Sequence, residues 1–192
     1  REGAAAMAFD PMVVYRTAVE RVPAYRRFLL ETAGEIKDVR TLEDFAALPR
    51  MDKPSYIAKF PLPELCLDGT LAGKHVLVRS SGSSGEAVYW PQLPEQERGF
   101  ERWILDDLDA LLHIRQEPAL AVVSLLLGSW VTGELVTWTL RNAAIESGCI
   151  TLTTPGYNLE EALQILERYS PHYPQTILFS YPPFAKAILD AA

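Results

Sequence analysis

From residue 119 onward, short apolar runs alternate with longer helical stretches, an order that few architectures accept. Ala119 to Leu127 is the longest apolar run and reads as a buried strand. Glu134 to Ser147 reads as a helix closed by Gly148, Ile150 to Thr153 as a strand and Leu159 to Tyr169 as a helix. Thr176 to Ser180 then reads as a strand, and Phe184 to Ala192 as a final helix. Strands alternating with helices of this length need crossover connections. The pattern therefore predicts an α/β fold, a mainly parallel sheet with helices on both faces.

The chain before this region has a different character, which predicts a helical segment over 1–73 and an α/β part over 74–192. Asp10 is a good N-cap and Pro11 a good first helical residue, leading into Val13, Val14, Ala18 and Val22. Pro23 interrupts, and Tyr25 to Ala33 continues as a helix ending at Gly34. Thr41-Leu42-Glu43-Asp44 resembles a capping box for a short helix, and Asp52-Lys53-Pro54 opens another through Lys59. His75 to Arg79 and Ala87 to Trp90 are rich in β-formers and predict a β-hairpin, with Val76 and Val78 pointing inward. Glu95 to Leu112 reads as a long helix with Phe100, Trp103, Ile104, Leu108, Leu111 and Leu112 on one face.

Composition bounds the class of function. With 48% hydrophobic residues, the chain can bury a substantial core, so wholesale disorder is excluded. The net charge of −7 repels phosphate backbones and anionic surfaces, so neither a nucleic-acid nor a membrane partner is expected. Cys66 and Cys149 form no CxxC pair, which disfavours a disulfide framework or a zinc site. No apolar stretch reaches the roughly 18–20 residues of a spanning helix, and the start lacks the apolar core of a signal peptide. A cytoplasmic location follows as the expectation. His75, His113 and His172 lack metal-ligand spacing, and Asp106, Asp107 and Asp109 read as a solvated helix face, so no metal site is expected. Neither GxSxG nor a Ser-His-Asp ordering suggests a hydrolase.

Between the two hairpin strands lie six consecutive residues drawn only from Ser and Gly, Ser80 to Gly85. Glycine permits positive φ and close approach of the backbone, and serine hydroxyls and bare N–H groups supply neutral donors to phosphate oxygens. A flexible linker or hairpin tip has the same composition, and the residues alone leave both readings open. The spacing excludes a Walker A loop, since only Ser83 and Ser84 separate Gly82 from Gly85 and Glu86 follows. The strand–loop–strand context excludes a dinucleotide fingerprint.

The stretch Arg79-Ser80-Ser81-Gly82-Ser83-Ser84-Gly85-Glu86 resembles the phosphate loop of adenylate-forming enzymes: acyl-CoA ligases, luciferases and peptide-synthetase adenylation domains. The surroundings look most like the phenylacetate–CoA ligase branch. Val22-Pro23-Ala24-Tyr25-Arg26, Leu42-Glu43-Asp44 with Leu48-Pro49, and Met51-Asp52-Lys53 resemble its amino-terminal elements. Gly128-Ser129-Trp130-Val131-Thr132-Gly133 is similar to its glycine-rich acyl-pocket turn, and Ser180-Tyr181-Pro182-Pro183 stands where that branch has a turn after a buried strand. The resemblance runs from about residue 15 to the end.

The resemblance implies ATP-dependent activation of a small carboxylic acid to an acyl-adenylate, then transfer to a thiol such as coenzyme A, with Mg²⁺ assisting. Ser80, Ser81, Gly82, Ser83, Ser84, Gly85 and Glu86 would embrace the nucleotide's β- and γ-phosphates. Trp130, Val131, Thr132, Gly133, Tyr181 and Pro182 would border the acyl substrate. Two departures stand out: Glu86 replaces the Lys of several relatives, and the aromatic at Trp130 comes one residue earlier than the branch's own. The family's catalytic residues lie further along than Ala192. An incomplete large domain is thus expected, inactive alone, completed by a carboxy-terminal portion or paired as a homodimer. The alternatives are an acyl-protein synthetase, and a non-catalytic nucleotide-binding or interaction module on the same fold.

Overall fold

The computed structural model describes residues 10–73, 76–82 and 86–192, with residues 94–97 described by their backbone alone. The chain divides into two compact units, Arg1–Gly73 and Lys74–Ala192.

In the first unit, helix α1 spans Pro11–Arg21 and is capped by the Asp10 carboxylate, which accepts from the Met12 N–H at 2.9 Å. Pro23 ends one helix and opens the next, because its fixed φ suits a first helical position and its missing N–H would be orphaned there anyway. Helix α2 accordingly spans Pro23–Ala33 and stops at Gly34, whose φ of 76° is the left-handed cap. Helix α3, Leu42–Ala46, carries the complete reciprocal box between Thr41 and Asp44. The expected helix after Asp52 is instead a π-type turn over Lys53–Ile57, in which the Ala58 N–H donates to the Lys53 carbonyl at 2.8 Å. Met12, Tyr15, Tyr25, Phe28, Leu29, Tyr56 and Phe60 form the core of this unit.

In the second unit, strands β1 (Val76–Arg79) and β2 (Tyr89–Gln92) pair antiparallel, with Arg79 opposite Tyr89. Strand β2 starts two residues later than the composition suggests and runs through Pro91, which an edge strand tolerates. Val78 is buried, whereas Leu77 on the opposite face is exposed. Helix α4 follows over Pro94–Leu112.

Strands β3 (Ala119–Ser124), β4 (Ile150–Thr153) and β5 (Gln175–Ser180) form a three-stranded parallel sheet in the order β4-β3-β5. Helix α5 (Val131–Ser147) joins β3 to β4, α6 (Leu159–Tyr169) joins β4 to β5, and α7 (Pro182–Ala191) follows β5. Every residue of β3 is buried, because helices cover both faces. Ala119, Ala121 and Val123 pack against Leu140 and Ala143 of α5 and Leu105 and Leu108 of α4. Leu120 and Val122 face Ile165 of α6, and Ala162 of α6 packs with Phe184 and Ile188 of α7. The alternation follows from the two-residue period of a strand. The second crossover runs back across the sheet, so a crossover of the same hand must place its helix on the opposite face.

The long helix α4 buries Ile104 and Leu108 of the expected apolar face, but the inward stripe is rotated away from Trp103 and Leu111. Glu101, Ile104, Leu105 and Leu108 are buried, while Trp103 is 57% and Leu111 76% exposed. The inward stripe keeps helical spacing, and Glu101 is tolerated because Asn142 of α5 donates to its carboxylate at 3.2 Å. Among the described residues no helix is long and apolar enough to cross a membrane.

Candidate functional site

In an open parallel sheet, a crevice forms outside the carboxyl ends of two neighbouring strands whose following connections leave to opposite faces. Here those strands are β3 and β5: the chain leaves β3 toward α5 on one face and leaves β5 toward α7 on the other. The two segments expected to border an acyl group, Trp130–Gly133 and Tyr181–Pro182, stand where these two connections pass into α5 and α7. Residues far apart in sequence thus share one edge of the sheet. The hydroxyl of Ser180, the last residue of β5, donates to the carbonyl of Ser124, the last residue of β3, at 3.1 Å. That bond fastens the edge. The hydroxyl oxygen of Ser124 is itself fully buried and without a partner among the described residues.

The turn beyond β3 is shorter than the sequence pattern implied. Gly128, at φ 78°, and Ser129 lead to Trp130, the extended residue before α5. Val131, Thr132 and Gly133 are not turn residues but the first turn of that helix. The helix begins three residues early because Gly133 lets it settle on the preceding chain. A β-carbon at Gly133 would stand 1.9 Å from the Leu126 carbonyl oxygen, a distance no side chain can occupy. At β5, Tyr181 is the corresponding extended residue and Pro182 opens α7.

The Ser/Gly segment begins where β1 ends. The Ser80 N–H donates to the Val88 carbonyl at 2.9 Å, and the Val88 N–H donates to the Ser80 hydroxyl oxygen at 3.0 Å. Ser80 therefore clasps the base of the loop through both its backbone N–H and its hydroxyl oxygen. Gly82 has φ 69°, the left-handed conformation that other residues adopt only with strain. Ser81 and Glu86 are exposed, and Ser83, Ser84 and Gly85 lie outside the described residues.

The hairpin is tied directly to the turn after β3. The Arg79 N–H donates to the Ser129 carbonyl at 2.8 Å, and Arg79 forms a parallel bridge with Trp130. The Arg79 guanidinium lies over the Trp130 indole, 4.0 Å from the ring centroid, a cation–π contact worth about 0.5–2 kcal/mol. The base of the Ser/Gly loop and the turn expected to border an acyl substrate are thus in contact. Composition gave no sign of this link; the position of Arg79 immediately before the loop was its one visible trace.

No group of three His, Cys, Asp or Glu among the described residues has the geometry to hold a metal ion. Of the acidic residues on α4, Asp109 pairs with Arg115 at 2.6 Å, and Asp106 lies 3.6 Å from the same guanidinium. Those carboxylates anchor the end of α4. Their partner holds the carboxyl of Asp109 below the usual aspartate range, with the Arg115 backbone N–H as the main cause. No family model matches the chain, and no curated protein matches it.

Proposed function

We propose that this chain carries the phosphate-loop part of an ATP-dependent carboxylate-activating ligase, which forms an acyl-adenylate and passes the acyl group to a thiol such as coenzyme A. The observation that carries the reading is the junction of Arg79 with Ser129 and Trp130. It joins a Ser/Gly loop rich in neutral donors to the carboxyl edge of a parallel sheet, where α/β proteins bind ligands.

In this reading Ser80, Ser81, Gly82 and the Ser83-Ser84-Gly85 segment cradle the β- and γ-phosphates, and Trp130 and Tyr181 flank the acid. The left-handed Gly82 suits such a cradle, because successive backbone N–H groups converge on an anion when the chain turns through this conformation. Adenylyl transfer asks a protein chiefly for positioning and for stabilisation of phosphate charge. Mg²⁺ would enter with the nucleotide's own phosphates.

The test is carboxylate-dependent exchange of pyrophosphate into ATP, run on the whole protein that contains this chain with a broad panel of acids. Exchange that needs both an acid and Mg²⁺ is the expected outcome. Absence of exchange with every acid would sink the ligase reading.

A further inference from the structure

A groove of about 380 Å³ opens on the amino-terminal unit, walled by Tyr25 of α2, Phe45 of α3, and Leu48, Pro49, Arg50 and Met51 of the segment that follows. Its size lies within the range of small-molecule sites. Its side chains are apolar apart from two, Tyr25 and Arg50, the composition of a site that seats an apolar body and fixes it by a few polar contacts. Phe45 is 36% and Met51 49% exposed, so apolar surface stands open along the groove.

The two polar groups are both donors in want of an acceptor. Tyr25 is more than nine-tenths buried, yet its hydroxyl has no hydrogen-bond partner among the described residues, whereas the neighbouring Tyr15 hydroxyl donates to the Lys37 carbonyl at 2.6 Å. A buried phenol ordinarily finds such a partner. The Tyr25 oxygen is not sealed in the core: the fully buried unpartnered polar atoms belong to Ser124, Thr137 and Thr139, and Tyr25 is a wall of the groove. Burial pushes its phenol up, with Tyr15 adding to the shift, so the group stays protonated and donates. Arg21, Arg27, Arg40 and Lys59 of the same unit each meet a carboxylate at 2.7 Å or less, but Arg50 pairs with none among the described residues. No carboxylate walls the groove, and Asp44 and Asp52, which flank the segment, are engaged in their own helix caps. The charge complement of the groove is therefore a single anion.

We infer that this groove binds a small amphipathic monocarboxylate, its apolar body against Phe45, Leu48, Pro49 and Met51 and its carboxylate on Arg50 and the Tyr25 hydroxyl. A carboxylate accepts from a guanidinium and a phenol together, and one unit of charge matches the one cation present. The site lies wholly within the amino-terminal unit. It is independent of the nucleotide reading above and separate from the acid expected beside Trp130 and Tyr181.

The experiment titrates octanoate and its uncharged analogue octanamide into the isotope-labelled chain and follows backbone amide shifts, for wild type and for Arg50→Gln, Arg50→Lys and Tyr25→Phe. Tyr25→Phe keeps the ring that stands edge-on to Tyr15 and Tyr56, and Arg50 is exposed, so the variants retain the packing of the unit. Should Tyr25→Phe melt early, Arg50→Gln carries the test. Octanoate should shift the amides of residues 45–51, with affinity about threefold to tenfold lower in Arg50→Gln and in Tyr25→Phe, the scale of one hydrogen bond. Arg50→Lys should recover part of the loss, and added salt should weaken octanoate in wild type more than in Arg50→Gln. Octanamide should bind wild type more weakly and be indifferent to Arg50→Gln. Octanoate that leaves residues 45–51 unshifted overturns the inference, and so does equal octanoate affinity in wild type and Arg50→Gln. Equal affinity for octanamide and octanoate overturns it too, because it marks a groove that takes apolar matter regardless of charge. Shifts confined to Trp130 and Tyr181 remove this site and leave the acid-binding reading of the sheet edge standing.

Discussion

The α-carbon of Gly133 and the carbonyl of Leu126 are so close that any side chain at 133 would overlap the carbonyl oxygen. The contact sets the first turn of α5 against the loop leaving β3, and so positions Trp130 at the sheet edge. The obstructing atom is backbone, which cannot step aside as a side chain would. Gly133→Ala should therefore destabilise the α/β unit by roughly 3 kcal/mol, at the upper end of the usual cost of overpacking. A thermal melt of Gly133→Ala checks this, and an unchanged midpoint would show that α5 has freedom to shift.

At Gly82 the strain is conformational, since the backbone is left-handed there. Gly82→Val should cost about 1–2 kcal/mol and weaken binding of MgATP. Gly82→Asn should cost less, because asparagine enters this region more readily than a β-branched residue. Denaturant unfolding measures the first effect and nucleotide titration the second. Equal behaviour of the two variants would count against a strained loop.

Burial pushes the Tyr56 phenol up to about 12, with nearby Tyr25 adding to the shift. The ring stands edge-on to Phe28, with centroids 5.4 Å apart, and to Phe60 at 5.6 Å, surroundings that disfavour a phenolate. A raised folded-state value means that the neutral form is favoured by folding. The associated stability is complete below about pH 10 and is lost as pH rises toward 12. An absorbance titration of the folded protein should show at least one tyrosine ionising late and together with unfolding of the amino-terminal unit. If every tyrosine ionised near pH 10 without unfolding, this packing would be wrong.

The acid side runs the other way. The Asp52 carboxylate accepts the Ser55 N–H at 2.7 Å and is held below the usual aspartate range by its hydrogen bonds from the Ser55 hydroxyl and N–H. Asp44 is lowered likewise, first by the Arg40 N–H and then by Thr41. A depressed carboxyl stabilises the fold above its unfolded value, and that contribution disappears as pH falls through the folded value. The denaturant midpoint of the amino-terminal unit should drop below about pH 4, and less so in Asp52→Asn, which keeps the cap without the titration. Identical acid profiles for Asp52→Asn and wild type would remove Asp52 from this account.

Where the chain's own chemistry acts locally, the sequence was legible. Thr41 with Asp44, Gly34 and Gly148 end or begin helices where capping chemistry says they should. The limits of β4 and α6 coincide with those read from periodicity. Where a neighbour decides, legibility failed. Ile104 and Leu108 of the expected apolar stripe are buried, yet Trp103 and Leu111 of the same stripe are exposed, and Glu101 and Leu105 turn inward in their place. The start of α5 was misplaced because the space at Gly133 is defined by Leu126, which no helix propensity registers. The turn after Asp52 follows an i→i+5 bond that spacing alone does not distinguish from an α-helix.

The sequence by itself determined the order of strands and helices, the caps that bound several of them and the Ser/Gly composition of the loop after Arg79. Those properties depend on residues within a turn or two of each other. The tertiary structure decided that the strands stand in the order β4-β3-β5, that Ser180 reaches the Ser124 carbonyl, and that Arg79 lies on Trp130. Such pairings link segments whose separation along the chain carries no local signal, and only the packing of helices on both faces of the sheet brings them to one edge.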